Sequence, residues 1–128
     1  MGRFYHYTDK QGYDAIKNSK KIRKSKLSGV DAIFGSGVYL TSLAPEDVFT
    51  KGRIAVNNWD GAAQGAVDSG RADFYFEFNI PETSLVKCPD KRDIWLLKDR
   101  DLEFDKFSMV DCDFFERRGG VWDTRAKV

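Results

Sequence analysis

Between positions 73 and 80 the chain alternates strictly, with Phe74, Phe76, Phe78 and Ile80 on one side and Tyr75, Glu77 and Asn79 on the other. A period of two residues is the repeat of a β-strand, and a face built from three phenylalanines and an isoleucine has to be covered. Any fold open to this chain therefore contains a sheet with an apolar layer against it. Pro81 closes the strand, because its ring removes the N–H that a ladder would use. A further strand is expected at residues 93–97, and a last one where Val110, Cys112 and Phe114 alternate with Asp111 and Asp113.

The amino-terminal half adds helices. Arg3-Phe4-Tyr5-His6-Tyr7 reads as a short strand, and Thr8 with Gln11 has the Thr-x-x-Gln spacing of a capping box, so a helix of about two turns is expected to follow. Tyr13 and Ile16 share one face of that helix, with Lys10, Asp14, Lys17 and Asn18 turned to solvent. The basic run from Lys20 to Lys26, then Ser28-Gly29 and Gly35-Ser36-Gly37, predicts a loop beside a pocket or a partner surface. Residues 38–41 predict a strand, and Ser42, Pro45, Glu46 and Asp47 supply the signals of a second helix start. Ile54, Ala55, Val56 and Trp59 fit a helix face, whereas the Gly- and Ala-rich residues 61–70 predict a flexible loop that could act as a lid. The fold class is α+β with short helices.

The 128 residues have room for one domain, with a core at about 4–115 and a tail at 116–128. A content of 41% hydrophobic and 14% aromatic residues excludes a disordered chain, and a net charge of +1 gives no bulk attraction to nucleic acid or anionic membrane. No stretch approaches the roughly 20 apolar residues of a membrane span, and Met1 to Thr8 lack a signal-peptide pattern. One histidine, and cysteines only at 88 and 112, argue against a zinc site or disulfide framework and suggest a reduced, cytoplasmic or nuclear setting. Gly35-Ser36-Gly37 completes neither a dinucleotide fingerprint nor a P-loop, and no Gly-x-Ser-x-Gly elbow is present. Lys17, Lys20, Lys21, Arg23, Lys24 and Lys26 form the one cluster suited to phosphates, with a solvated surface as its plainer reading.

Three motifs remain, in order: Tyr5-His6-Tyr7-Thr8, Gly37-Val38-Tyr39-Leu40-Thr41 and Arg92-Asp93-Ile94-Trp95-Leu96. Together they resemble the H-Y-[D/E] branch of the ADP-ribosyltransferase superfamily, diphtheria-toxin-like and PARP-like. Within it the chain is most similar to the HYD1-signature family, over residues of about 4–104. Asn57-Asn58-Trp59-Asp60 and Phe76-Glu77-Phe78 are also similar to segments of that family, with Trp59 read as packing under the fold and Asn57 or Asn58 as capping a helix or touching ligand, the structural role being preferred.

The resemblance implies a minimal fold with a central split antiparallel sheet, NAD as substrate, and no metal. It implies that His6 bonds a ribose hydroxyl of the adenosine half, with Tyr7 and Thr8 helping to orient the dinucleotide. Tyr39 would lie against nicotinamide, Gly37 would permit close approach, and Asp93 would bond the nicotinamide ribose and set negative charge near the forming cation. Glu77 and then Asp90 are rivals for the acidic role. Standing alone, His6 and Tyr39 would read as packing residues and Asp93 as a strand-start residue. A macromolecular acceptor, protein or nucleic acid, would take a single ADP-ribose unit from a monomeric enzyme away from membranes. Because aspartate is one methylene shorter than the glutamate common in the branch, NAD hydrolysis without transfer is the first alternative. A degenerate module binding NAD, ADP-ribose or RNA is the second.

Overall fold

The computed structural model describes residues 2–25, 35–48, 50–89 and 91–118. In chain order its elements are β1 (Gly2–Thr8), α1 (Lys10–Ser19), β2 (Lys21–Ile22), β3 (Gly37–Leu40), α2 (Pro45–Val48), α3 (Lys51–Trp59), α4 (Ala63–Asp68), β4 (Phe74–Ile80), β5 (Val86–Lys87), β6 (Trp95–Lys98), β7 (Leu102–Glu103) and β8 (Ser108–Phe114). Short 3-10 turns lie at Asp60–Ala62, Glu82–Ser84 and Phe115–Arg118.

The alternating strand β4 lies between β1 and β8, antiparallel to both. Its phenylalanine face meets Phe4, Val38, Leu97 and Leu102 in one core, while Tyr75 joins Tyr5, Tyr7, Ile54 and Phe115 in a second core on the other face. Both faces are thus covered. Each fully buried phenylalanine contributes about 2–3 kcal/mol of burial, and Phe76 and Phe78 are both fully buried.

The second sheet runs β3-β6-β5. It meets the first at one bridge, where Tyr5 N–H donates to the Thr41 carbonyl at 2.7 Å and Thr41 N–H to the Tyr5 carbonyl at 3.0 Å. Past the bridge β1 continues through His6, Tyr7 and Thr8 while β3, read backwards, continues through Leu40, Tyr39 and Val38. The two strands part there, and the sheet is split. A small ladder, Lys21 opposite Glu103 and Ile22 opposite Leu102, lies apart from both sheets.

Several local expectations are corrected. The cap of α1 is Asp9, not Thr8: the Asp9 carboxylate accepts the Gly12 N–H at 2.8 Å, and Thr8 is still the last residue of β1, opposite Phe74. Gly12 suits the site because a Cβ there would lie 2.1 Å from Thr8 Oγ1. Residues 61–70 are not a loop but contain α4, whose Ala63, Ala66 and Val67 pack on Ala55. Glycine and small polar residues lowered the helical pattern locally, yet small side chains let two short helices touch, and burial overrides weak propensity. The basic run includes strand β2 rather than loop alone, and the strand expected at 93–97 begins at Trp95. Ser28, Gly29, Lys26, Asp90 and the tail beyond 118 lie outside the described residues.

Glu116, Arg117 and Arg118, assigned to the tail from sequence, close the second core. Arg118 donates from Nη1 to Glu77 at 2.8 Å and from Nη2 to Glu46 at 2.6 Å, so one guanidinium ties the chain end to β4 and α2. Arg117 pairs with Asp111 and Asp113 on β8. Burial would raise the Glu46 and Asp111 carboxyls, but Arg118 for the first, and Tyr75 with both arginines for the second, hold them below their ordinary values. Burial dominates for Tyr5 and Tyr75, whose hydroxyls are pushed up to about 12.

Candidate active site

The gap between β1 and β3 is a cleft of about 340 Å³, with His6, Tyr7 and Thr8 on one wall and Val38, Tyr39 and Leu40 on the other. Asn58 and Trp59 border it from the end of α3, Ala62 from the 3-10 turn that follows, and Ile94 from the approach to β6. The split therefore brings the first two sequence motifs face to face.

His6 is half-buried, and its Nδ1 lies 3.2 Å from the Tyr39 carbonyl oxygen. A carbonyl only accepts, so Nδ1 carries the proton in this contact, and in the neutral ring Nε2 is the accepting nitrogen. Tyr39 donates its hydroxyl to the Gly35 carbonyl at 2.7 Å and packs on Ile94, Leu96 and Cys88, which fixes the ring plane. Tyr7 borders the cleft, but its ring lies on the opposite face of β1, buried with its hydroxyl 2.6 Å from the Leu43 carbonyl, so main chain is what it offers. Gly37 is directed elsewhere: with φ of +151°, it would set a Cβ 2.2 Å from the Leu97 carbonyl oxygen, so its close approach is to β6 rather than to the cleft.

Asp93 sits just before β6, next to Ile94 of the cleft wall, and is not itself among the residues bordering the cleft. Its carboxylate is held by three donors: Ser42 N–H at 2.9 Å and Trp95 Nε1 at 3.0 Å on one oxygen, and the Ser42 hydroxyl on the other. Asn57 of α3 pairs with the Asp93 main chain, accepting from its N–H at 2.8 Å and donating to its carbonyl at 2.9 Å. Glu77 lies on the Tyr5 face, away from His6, with its carboxylate bonded to Arg118 and to the Tyr5 hydroxyl. Asp90 is outside the described residues.

Two guanidinium groups, Arg23 and Arg71, and one carboxylate, Asp9, also border the cleft. Arg71 lies over the Trp59 ring, and in the basic run the Lys17 ammonium lies over the Tyr13 ring, Lys21 is opposite Glu103 in the β2–β7 ladder and the Lys24 main-chain N–H donates to Asp101. Among the described residues no group of three or more His, Cys, Asp or Glu could hold a metal ion, and no helix is long and apolar enough to cross a membrane.

This arrangement offers an accepting imidazole, an oriented phenol ring and two guanidinium groups around one cleft, with the clamped Asp93 carboxylate beside its Ile94 wall. A model of the family described as HYD1 signature containing ADP-ribosyltransferase matches residues 4–106, which span every element from β1 through β7. The chain belongs to the HYD1-signature ADP-ribosyltransferases. No curated protein and no solved structure matches it. In this HYD1-signature chain β8 and the Arg117–Arg118 tie lie beyond the matched span, although β8 forms one side of the central sheet.

The sequence read Ser42 only as part of a helix start, whereas α2 begins at Pro45 and Ser42 donates to Asp93; it did not single out Arg71, and it favoured a structural role for Asn57, Asn58 and Trp59. Ser42 had a usable signal, since it follows the second motif directly; Arg71 lies 32 positions beyond Tyr39 in an unremarkable turn, and only folding brings it to the cleft.

Proposed function

We propose that this domain cleaves the nicotinamide–ribose bond of NAD and transfers one ADP-ribose unit to a macromolecular acceptor. The observation that carries the reading is the contact of His6 with the Tyr39 carbonyl across a cleft beside the clamped Asp93. His6 Nε2 accepts a hydroxyl of the adenosine ribose, and Tyr39 lies against the nicotinamide as it leaves. Arg23 and Arg71 neutralise the diphosphate. Positive charge develops on the nicotinamide ribose as the bond breaks, and the Asp93 carboxylate stabilises it. One well-placed electrostatic group of this kind is worth about 2.7–4 kcal/mol.

Three donors already engage Asp93, so its part is charge stabilisation rather than proton abstraction from an acceptor. That favours hydrolysis of NAD as the second reading, with water in place of the macromolecule. The test is release of nicotinamide from NAD carrying a labelled ADP-ribose half, for the unaltered chain and Asp93→Asn, with cell lysate present. Label on macromolecules supports transfer, and free ADP-ribose alone supports hydrolysis. A loss of about 10²–10³ in kcat with little change in KM is expected for Asp93→Asn. Equal turnover by both proteins would overturn the assignment of Asp93.

A further inference from the structure

Where the two sheets part, Thr41 directs both of its main-chain groups to Tyr5, and the β3–β6 ladder ends at the Leu40–Trp95 pair. The Asp93 peptide groups, two residues before β6, lack the strand neighbour that would otherwise continue the ladder. Unpaired main-chain groups away from water cost about as much as a lost hydrogen bond, so something has to meet them. Asn57 does, with its oxygen on the Asp93 N–H at 2.8 Å and its nitrogen on the Asp93 carbonyl at 2.9 Å. A side-chain amide presents an acceptor and a donor on two adjacent atoms, as the edge of a strand does, whereas an ionised carboxylate only accepts and a hydroxyl has its donor and acceptor on a single atom. The same nitrogen lies 3.3 Å from Thr41 Oγ1 and 2.8 Å from Asn58 Oδ1. One amide thus joins Asp93 to the junction of the sheets and to a residue on the cleft wall. Burial of Ile54, one turn earlier on α3, anchors the helix that presents it.

We propose that Asn57 is a positioning residue for the acid: it stands in for the missing strand and fixes the Asp93 main chain, so that the Ser42 clamp delivers the carboxylate at one place beside the cleft. The inference rests on the reading of Asp93 as the charge-stabilising group. A merely structural tie between α3 and β6 would alter stability without altering the chemical step, and its effect would not depend on the Asp93 side chain.

The experiment measures nicotinamide release by the full chain carrying Asn57→Ala or Asn57→Asp, each alone and combined with Asp93→Ala. The aspartate variant keeps the size of the side chain and the oxygen facing the Asp93 N–H, but sets a second oxygen against the Asp93 carbonyl. It carries the test if the alanine variant fails to fold. Displacement of a reacting group by about 1 Å can cost on the order of 10²-fold in rate. The expected result is a 10- to 100-fold fall in kcat for each single variant, roughly constant KM, and no additional loss from either substitution in the Asp93→Ala background. The proposal is overturned if both single variants keep the unaltered kcat, if only KM changes, or if the loss is as large without the Asp93 carboxylate as with it. Normal turnover by the Asn57 variants, in a protein that Asp93→Asn disables, would refute the role of Asn57 alone. Turnover indifferent to Asp93→Asn would remove both.

Discussion

Replacing Arg118 with methionine removes the guanidinium that holds the second core shut and leaves most of the hydrophobic stem. Four contacts go: Glu77 at 2.8 Å, Asp111 at 3.1 Å, Glu46 at 2.6 Å and the Tyr5 hydroxyl at 3.5 Å. They do not count equally. The Glu46 side chain is 44% exposed and rehydrates readily, and Asp111 keeps Arg117 and the Tyr75 hydroxyl. Glu77 is the expensive one, with a side chain only 9% exposed and left with the Tyr5 hydroxyl at 3.2 Å and a distant Arg3 at 3.5 Å. Stranding a buried charge costs about 3–5 kcal/mol. With two weak partners remaining, the expected loss is about 3 kcal/mol, or roughly 10 °C in Tm for a domain of this size. Urea denaturation followed by tryptophan fluorescence at pH 7 measures it. Glu77→Gln in the same chain should recover part of the loss. A loss below about 1 kcal/mol at pH 7, or one that Glu77→Gln does not reduce, would refute the assignment of the cost to a stranded carboxylate.

Two other expectations are independent of catalysis. Gly37→Ala sets a Cβ 2.2 Å from the Leu97 carbonyl oxygen at a positive φ, so denaturant unfolding should show a loss of about 2 kcal/mol or more. The polar ties also predict stability lost at both ends of the pH scale. Glu46 and Asp111 have folded values below the ordinary 4.5 and 3.8, so their contribution is present above those values and disappears as pH falls through the lower folded ones. Tyr5 and Tyr75 are raised from 10.0 to about 12, so theirs is present below pH 10 and disappears as pH rises towards 12. Thermal melts across both ranges, compared with Arg118→Met, check this; equal acid slopes in the two proteins would contradict it.

Much of the scaffold could be read directly from residue order. The two-residue period of β4, its end at Pro81 and the Tyr13–Ile16 face of α1 act within a few residues of chain, and the structure keeps all three. Strand β8 forms as expected, but its alternation is broken by a register shift opposite Glu77 and Phe78, which sets Met109 rather than Val110 opposite Phe78 and leaves Val110 and Phe114 exposed. His6, Tyr39 and Asp93 were marked by the family resemblance that the three motifs carry in order; standing alone, each would read as a packing or strand-start residue. Elements that depend on a distant partner were hidden. Helix α4 is only six residues long, with Gly65 in its middle, and is held by burial against α3, and the strands β2, β5 and β7 are two residues long, too short to display a period. Strand β6 starts two residues later than its apolar run suggested, because Asp93 at its head pairs with a helix side chain instead of a strand.

The same division runs through the candidate site. Residue order made His6 and Tyr39 alternate with core residues on two strands, so each had a face to present. It could not say that a single bridge between Tyr5 and Thr41 would join the strands and then let them diverge, which is what opens a cleft. Nor could it separate Asp93 from Glu77, since both are acids on or beside strands. That difference came from the neighbours that folding supplied: Arg118, 41 positions away, for Glu77, and Ser42 and Asn57, 51 and 36 positions away, for Asp93. Local pattern fixes which side of a strand a residue occupies. The partner of a charge is set by long-range packing, and the chemistry of a carboxylate follows its partners.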